Sequence, residues 1–123
     1  YKNWEVIFWD NNSTDKSKKI FKSYRNKRFK YFYSLKHTNL STARNLAIKK
    51  SKGYFLAFLD TDDWWEKNKL DACINCLIKN MNTDLIYHDL KLVNKNKKGC
   101  RSQQLIFGSP GRRVVAVVRL RSS

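Results

Sequence analysis

Short apolar runs alternate with amphipathic ones over the first ninety residues. WEVIFW (4–9) precedes a Lys-rich segment from 14 to 27, and FKYFYSL (29–35) precedes STARNLAIKKS (41–51). Strand, helix, strand, helix is the simplest reading of that order. YFLAFLD (54–60) is apolar on both faces of the pleat, as a strand buried on two sides must be. NKLDACINCLIKN (68–80) carries Leu70, Cys73, Ile74 and Leu77 at helical spacing, and DLIYHDLKLV (84–93) reads as a further strand. Strands alternating with helices of this length predict an α/β fold with a mainly parallel sheet covered on both faces.

Ligands of such sheets bind beyond the carboxyl ends of the strands. Two polar clusters fall at such ends: DNNSTD (10–15) after the first strand and DTDD (60–63) after the third. Asn11, Asn12, Ser13 and Thr14 are turn and cap formers, and with Asp15 they account for a simple turn leading into a helix. Asp10 is less well explained by that, since a carboxylate at a strand end can accept hydrogen bonds from a base N–H or a ribose hydroxyl. In DTDD, Asp60 and Asp62 point to the same side of an extended turn. Their hard oxygens suit Mg²⁺ or Mn²⁺ and, through the ion, a diphosphate. The competing account is a helix N-terminus, where acidic residues favour the positive end of the dipole. The carboxylate at position 10, after a parallel strand, tips the balance to a metal.

Composition changes this picture in two ways. The 123 residues suit one domain, and 26 Lys plus Arg against 10 Asp plus Glu give a formal charge of +16, so an anionic partner is expected. Three carboxylates gathered in so basic a chain repel one another unless a cation sits among them, which again argues for a metal. The last 23 residues differ in kind: Lys and Asn vanish, while five of the eight arginines, the only Pro and two of the four glycines lie there. Residues 101–123 therefore read as an atypical tail, either read-through or appended or a natural extension, and are set aside from functional reasoning. Without them 21 basic against 10 acidic residues leave +11. No apolar run approaches a membrane span and no signal-peptide pattern opens the chain, so a soluble chain is expected. Cys73, Cys76 and Cys100 offer one CxxC pair, short of a zinc set. Cys73, Cys76 and Leu77 are expected to pack as small apolar residues on one helix face. Trp64 and Trp65 are expected to pack a helix start, and His37 and His88 to be satisfied polar positions rather than bases.

EVIFWDNNSTDKS, TARNLAIKKSKGYFLAFLDTDDWWEKNKL and DLIYHDLKLV together resemble the nucleotide-binding half of the family 2 glycosyltransferases, inverting enzymes of the GT-A fold. The resemblance implies a Rossmann-like sheet flanked by helices and truncated at both ends, with residues 1–93 as a partial nucleotide-sugar-binding domain and 94–100 as a basic loop before the tail. It implies that Asp10 contacts the base, usually uracil, that Arg44 lies beside the nucleotide, and that Asp60 lies near the ribose. Asp62 then coordinates the divalent ion, with Asp63 in support. A UDP-sugar donor, a polysaccharide or lipid-linked acceptor and a cytoplasmic site, with peripheral membrane association, follow by the same resemblance. The family's general base matches nothing in this chain, so the chain alone is expected to be inactive. Asn11 and Asn12 stand where Asp-Gly is common and Asn39 where Gly often precedes the ARN segment, and Asn tolerates the left-handed backbone such turns use. A rival reading is a non-enzymatic nucleic-acid-binding module, with lysines interleaved among Tyr31, Phe32 and Tyr33 as stacking platforms.

Overall fold

The computed structural model describes residues 1–61, 63–80, 82–89, 93–94, 97–98, 103–108 and 114–119. In chain order these form β1 (Trp4–Asp10), α1 (Ser17–Ser23), β2 (Phe29–Tyr33), α2 (Leu40–Lys50), β3 (Phe55–Asp60), α3 (Lys69–Lys79), β4 (Leu85–Asp89), β5 (Val93–Asn94), β6 (Lys97–Lys98), β7 (Gln103–Gly108) and β8 (Val114–Arg119). Six strands make one sheet in the order β2-β1-β8-β3-β7-β4, and β5 and β6 form a separate antiparallel pair. β2, β1, β8 and β3 run parallel, and β7 is antiparallel to both β3 and β4. The chain is an α/β protein with a GT-A-type, Rossmann-like arrangement of parallel strands and flanking helices.

The pleat of β1 divides the packing. Ile7 and Trp9 meet Ala43 and Ala47 of α2 on one face, with Phe32, Leu46, Leu56 and Phe58 closing around them. The small alanines let α2 lie close to the sheet. On the other face Phe8 packs on Phe21 of α1 at 4.2 Å between ring centroids, and Phe21 also stacks on Phe29 at 5.4 Å. Farther along that face Phe55 and Ala57 pack against Cys73, Ile74 and Leu77 of α3. β3 thus packs on both faces, fully buried at Phe55 and Ala57 and partly at Leu56 and Phe58. Each large side chain so buried contributes about 1.5–3 kcal/mol. Glu5 is buried in this framework, where it binds the Lys30 ammonium of β2 and accepts the Lys52 N–H at 2.7 Å. It ties β1 to β2 and to the turn after α2.

Several local expectations are corrected. α1 is shorter than the Lys-rich segment because Arg25 turns to φ 41° and Asn26 captures the Arg28 N–H at 2.9 Å, which starts the turn into β2. Asn39 does not use its left-handed freedom: its φ of −66° is extended backbone, and its side chain caps α2 by accepting the Thr42 N–H at 2.8 Å. Asn12 does use it, at φ 71°. Cys73 is buried as expected, but Cys76 sits on the outer side of α3 and is exposed. The stretch read as a basic loop holds the short strands β5 and β6. The tail set aside by composition supplies β7 and β8, and β8 occupies the slot between β1 and β3, in register with both over six positions.

Candidate functional site

Both clusters lie at carboxyl ends of parallel strands. Asp10 ends β1 with 1% of its surface exposed. Its Oδ1 accepts the Ser13 N–H at 2.7 Å and its Oδ2 accepts the Tyr31 hydroxyl. Burial, followed by this bond and the charge of Asp10, raises the Tyr31 phenol well above its ordinary value. Asn11, equally buried, donates to the Thr38 carbonyl at 2.6 Å and accepts from the Thr38 N–H and hydroxyl at 3.1 and 2.9 Å. His37 Nδ1 lies 3.2 Å from the Asn11 carbonyl, and the Tyr33 hydroxyl donates to Asn12 at 2.6 Å. Residues 10–13 are thereby laced to residues 33–38 into one rigid rim. Asp15 closes its outer end by accepting the Ser17 N–H at 2.9 Å, and the Ser17 hydroxyl first, then this N–H, hold its carboxyl below its ordinary value.

The end of β3 is built differently. Arg44 reaches from α2 across the Phe58 ring, 5.3 Å from its centroid, to Asp60 Oδ1 at 3.4 Å, and both members of the pair remain about one-third exposed at 35% and 34%. The Asp63 N–H closes a turn on the Asp60 carbonyl at 3.0 Å. α3 begins only at Lys69, with no side-chain cap on its first turn, so the acidic run does not serve as a helix cap. Trp65 packs toward the core and Trp64 is 65% exposed. Lys69 lies over the Trp65 ring at 4.1 Å from its centroid; burial pushes its ammonium down to about 8, against the opposing charges of Cys73 and Asp63.

Arg44 and Asp60 are therefore brought together, and Asp63 follows them through its backbone turn bond to Asp60. Asp10 stands apart, since β8 separates β1 from β3 and two strand spacings amount to about 10 Å. Asp62 lies outside the described residues, and among those described no three His, Cys, Asp or Glu side chains converge. Two buried polar atoms at this edge, Trp9 Nε1 and Ser13 Oγ, have no hydrogen-bond partner among the described residues. Sequence reasoning missed Asn11 and Tyr31 as parts of the rim. Nothing in their local pattern signals bonds to residues 27 and 21 positions away. Tyr31 and Phe32 are stacked on opposite faces of the sheet, on Phe8 and Trp9, while Tyr33 stays exposed, so the three do not form one stacking platform for a nucleic acid.

The family model of glycosyl transferase family 2 matches residues 1–114. The chain belongs to that family. It is 34% identical over 96 residues to the UDP-Glc:alpha-D-GlcNAc-diphosphoundecaprenol beta-1,3-glucosyltransferase WfgD of Escherichia coli, an overlap of 78% of this chain and 38% of the relative. An uncharacterized glycosyltransferase of Haemophilus influenzae is 33% identical over 109 residues, covering 80% of this chain and 44% of its own length. The beta-1,3-glucosyltransferase WfaP of Escherichia coli, named for the same donor and acceptor as WfgD, is 37% identical over 75 residues, 61% of this chain and 30% of its own. The chain thus spans less than half the length of these curated relatives. No solved structure matches it significantly.

Proposed function

We propose that this chain carries the donor-binding part of an inverting glycosyltransferase that takes a sugar from a UDP-sugar to a polysaccharide or lipid-linked acceptor on the cytoplasmic side of a membrane. The observation that carries the reading is the pairing of Arg44 with Asp60 at the mouth beyond β3, next to Asp62 and Asp63 in a family 2 chain. A cation beside an acid at the open end of a parallel strand can turn from its neighbour to an incoming diphosphate at little cost, because a half-exposed ion pair is worth about 0–1 kcal/mol. Asp60 is then free to accept from a ribose hydroxyl.

Asp10 holds the rim against which the base rests; each carboxylate oxygen carries two acceptor sites, so a base N–H can join the bonds already made. The unpartnered Trp9 Nε1 and Ser13 Oγ support a polar ligand at this edge, since buried polar atoms are costly unless met. Asp62 and Asp63 offer hard oxygens that suit Mg²⁺ or Mn²⁺, with Asp62 as ligand and Asp63 in support. Such an ion, when bound, neutralises charge on the departing nucleotide. Donors and acceptors named for WfgD and WfaP support UDP and a lipid-linked acceptor. No helix among the described residues is long and apolar enough to cross a membrane.

Calorimetry with UDP, with and without Mn²⁺, tests the reading. Binding should require the metal, and Asp62→Asn should abolish most of the metal-dependent heat. Equal heats with and without metal would overturn the assignment.

A further inference from the structure

One arginine at the carboxyl edge of the sheet comes from the segment that composition marked as a tail. β8 ends at Arg119, and the register sets that residue beside Trp9 of β1 on one side and Asp60 of β3 on the other. Neighbouring strands lie about 4.8 Å apart, so Arg119 stands between the ends of the two strands that carry the acidic clusters. Two ladders of six positions each fix it there. Residues paired across a ladder share a pleat face. Trp9 and Phe58 pack on the α2 side, and Asp60, two residues beyond Phe58, shares that side. Arg119 therefore falls on the α2 side too, where Arg44 meets Asp60 at 3.4 Å. Asp10, next to Trp9 in the chain, falls on the other face with Tyr31. The α2 side of the edge thus holds Arg44, Arg119, Asp60 and Trp9. The indole of Trp9 is 7% exposed, and its Nε1 has no hydrogen-bond partner among the described residues.

We infer that Arg119 is a second anion-binding arginine of this edge and that, with Arg44, it seats the diphosphate of the donor. The inference rests on the nucleotide reading above and adds a residue to it. Arg119 lies beyond the residues 1–114 that the family model matches, so this role belongs to the chain rather than to the match. A guanidinium binds two phosphate oxygens at once, and a diphosphate offers two such groups, one for each arginine. Arg44 is carried by a helix and Arg119 by a central strand, so the two are fixed independently. A structural ion pair with Asp60 is the competing account. That carboxylate already has Arg44, and a second cation at the same edge adds a repulsion that a bound anion relieves. The buried indole N–H of Trp9 is a further donor that a phosphate oxygen would satisfy.

The test is calorimetry of the whole chain with pyrophosphate and Mn²⁺. Arg119→Gln should weaken pyrophosphate binding by about tenfold or more, the worth of one charge-assisted bond. Lys49→Gln removes the same charge at an exposed position near the far end of α2 and should bind as the parent does. A second measurement needs no variant to fold. In the parent chain, pyrophosphate with Mn²⁺ should protect Arg119 from phenylglyoxal, read by peptide mass spectrometry, while the exposed Arg25 reacts equally with and without it. Three results would each overturn the role of Arg119 and leave the donor reading standing, provided the parent binds pyrophosphate: equal labelling of Arg119 with and without the ligand, Arg119→Gln binding as tightly as the parent, or Lys49→Gln binding as weakly as Arg119→Gln. A parent that binds neither pyrophosphate nor UDP would overturn the donor reading and this inference together.

Discussion

The ends of β1 and β3 carry the same chemistry, carboxylates at the carboxyl edge of a parallel sheet, and the fold treats them in opposite ways. At the end of β1 Asp10 is 1% exposed and both its oxygens are engaged by Ser13 and Tyr31. At the end of β3 Asp60 is 34% exposed and meets Arg44 at 3.4 Å, a long contact for a charged pair. One acid is spent on making a wall, and the other is left where a ligand can compete for it. A carboxylate's place in a motif therefore does not fix its work; its burial and existing partners do.

Breaking the wall should have the largest effect. Asp10→Ala leaves a half-buried N–H and a half-buried phenol without their acceptor, and bonds to a charged group are worth about 1.5–3 kcal/mol each. A loss of about 3 kcal/mol in unfolding free energy is expected in urea titrations, with weaker UDP binding. Pyrophosphate with Mn²⁺ should still bind, measured well below the unfolding midpoint. A variant of unchanged stability would show that the two bonds carry no weight, and equal loss of pyrophosphate and UDP would confine Asp10 to a structural role.

The β3 end should give the reverse pattern. Arg44→Ala and Asp60→Ala should each change stability by less than about 1 kcal/mol, as half-exposed pairs do. Each should nonetheless weaken metal-dependent UDP binding by about tenfold or more, the worth of one charge-assisted bond. If either substitution costs the fold as much as Asp10→Ala, the contrast between the two ends fails.

A smaller effect separates the two asparagines that replace glycines common in the family. Asn12 sits at φ 71°, where a residue with a Cβ pays about 1–2 kcal/mol, whereas Asn39 caps α2 in extended backbone. Asn→Ser should therefore cost about 1 kcal/mol at position 12 and almost nothing at 39, where Ser is an equally good cap. Asn39→Ala should cost about 1 kcal/mol. Thermal unfolding of the three variants decides it.

These positions also show what could be read from the chain alone. The run FLAFLD announced a strand buried on both faces, and Phe55 and Ala57 pack on α3 while Leu56 and Phe58 face α2. Periodicity carries such information because burial repeats with the pleat. It carries none about which loops meet, so the bonds of Asn11 to Thr38 were invisible although both residues lie next to recognisable elements. Composition misdirected the reading once: VVAVVR has the unbroken apolar run of a central parallel strand, but the arginine- and glycine-bearing segment around it was set aside. Of the site residues, Asp60 and Asp63 are near through the chain itself, and only the pairing of Arg44 with Asp60 required the fold to be seen, since α2 could have packed on either side of the sheet.

The smallest expected effect lies at the outer end of the β1 rim and is a matter of pH. The Ser17 hydroxyl and N–H hold Asp15 below its ordinary carboxyl value, so its folded pKa is below its unfolded one. In acid the unfolded chain then binds the proton first, and stability rises with pH through that window. The contribution is fully present above the ordinary carboxyl range and is lost as pH falls through the lower, folded value. Asp15 is fully exposed, so solvent screens the interaction and the slope should be shallow, and steeper at low than at high salt. Asp15→Asn retains an acceptor for the Ser17 N–H but cannot titrate. Unfolding curves of the two proteins should converge at the acid end and separate toward neutral pH, with the parent chain the more stable. Parallel curves across the whole range would mean that the rim's outer end is held by something other than this carboxylate.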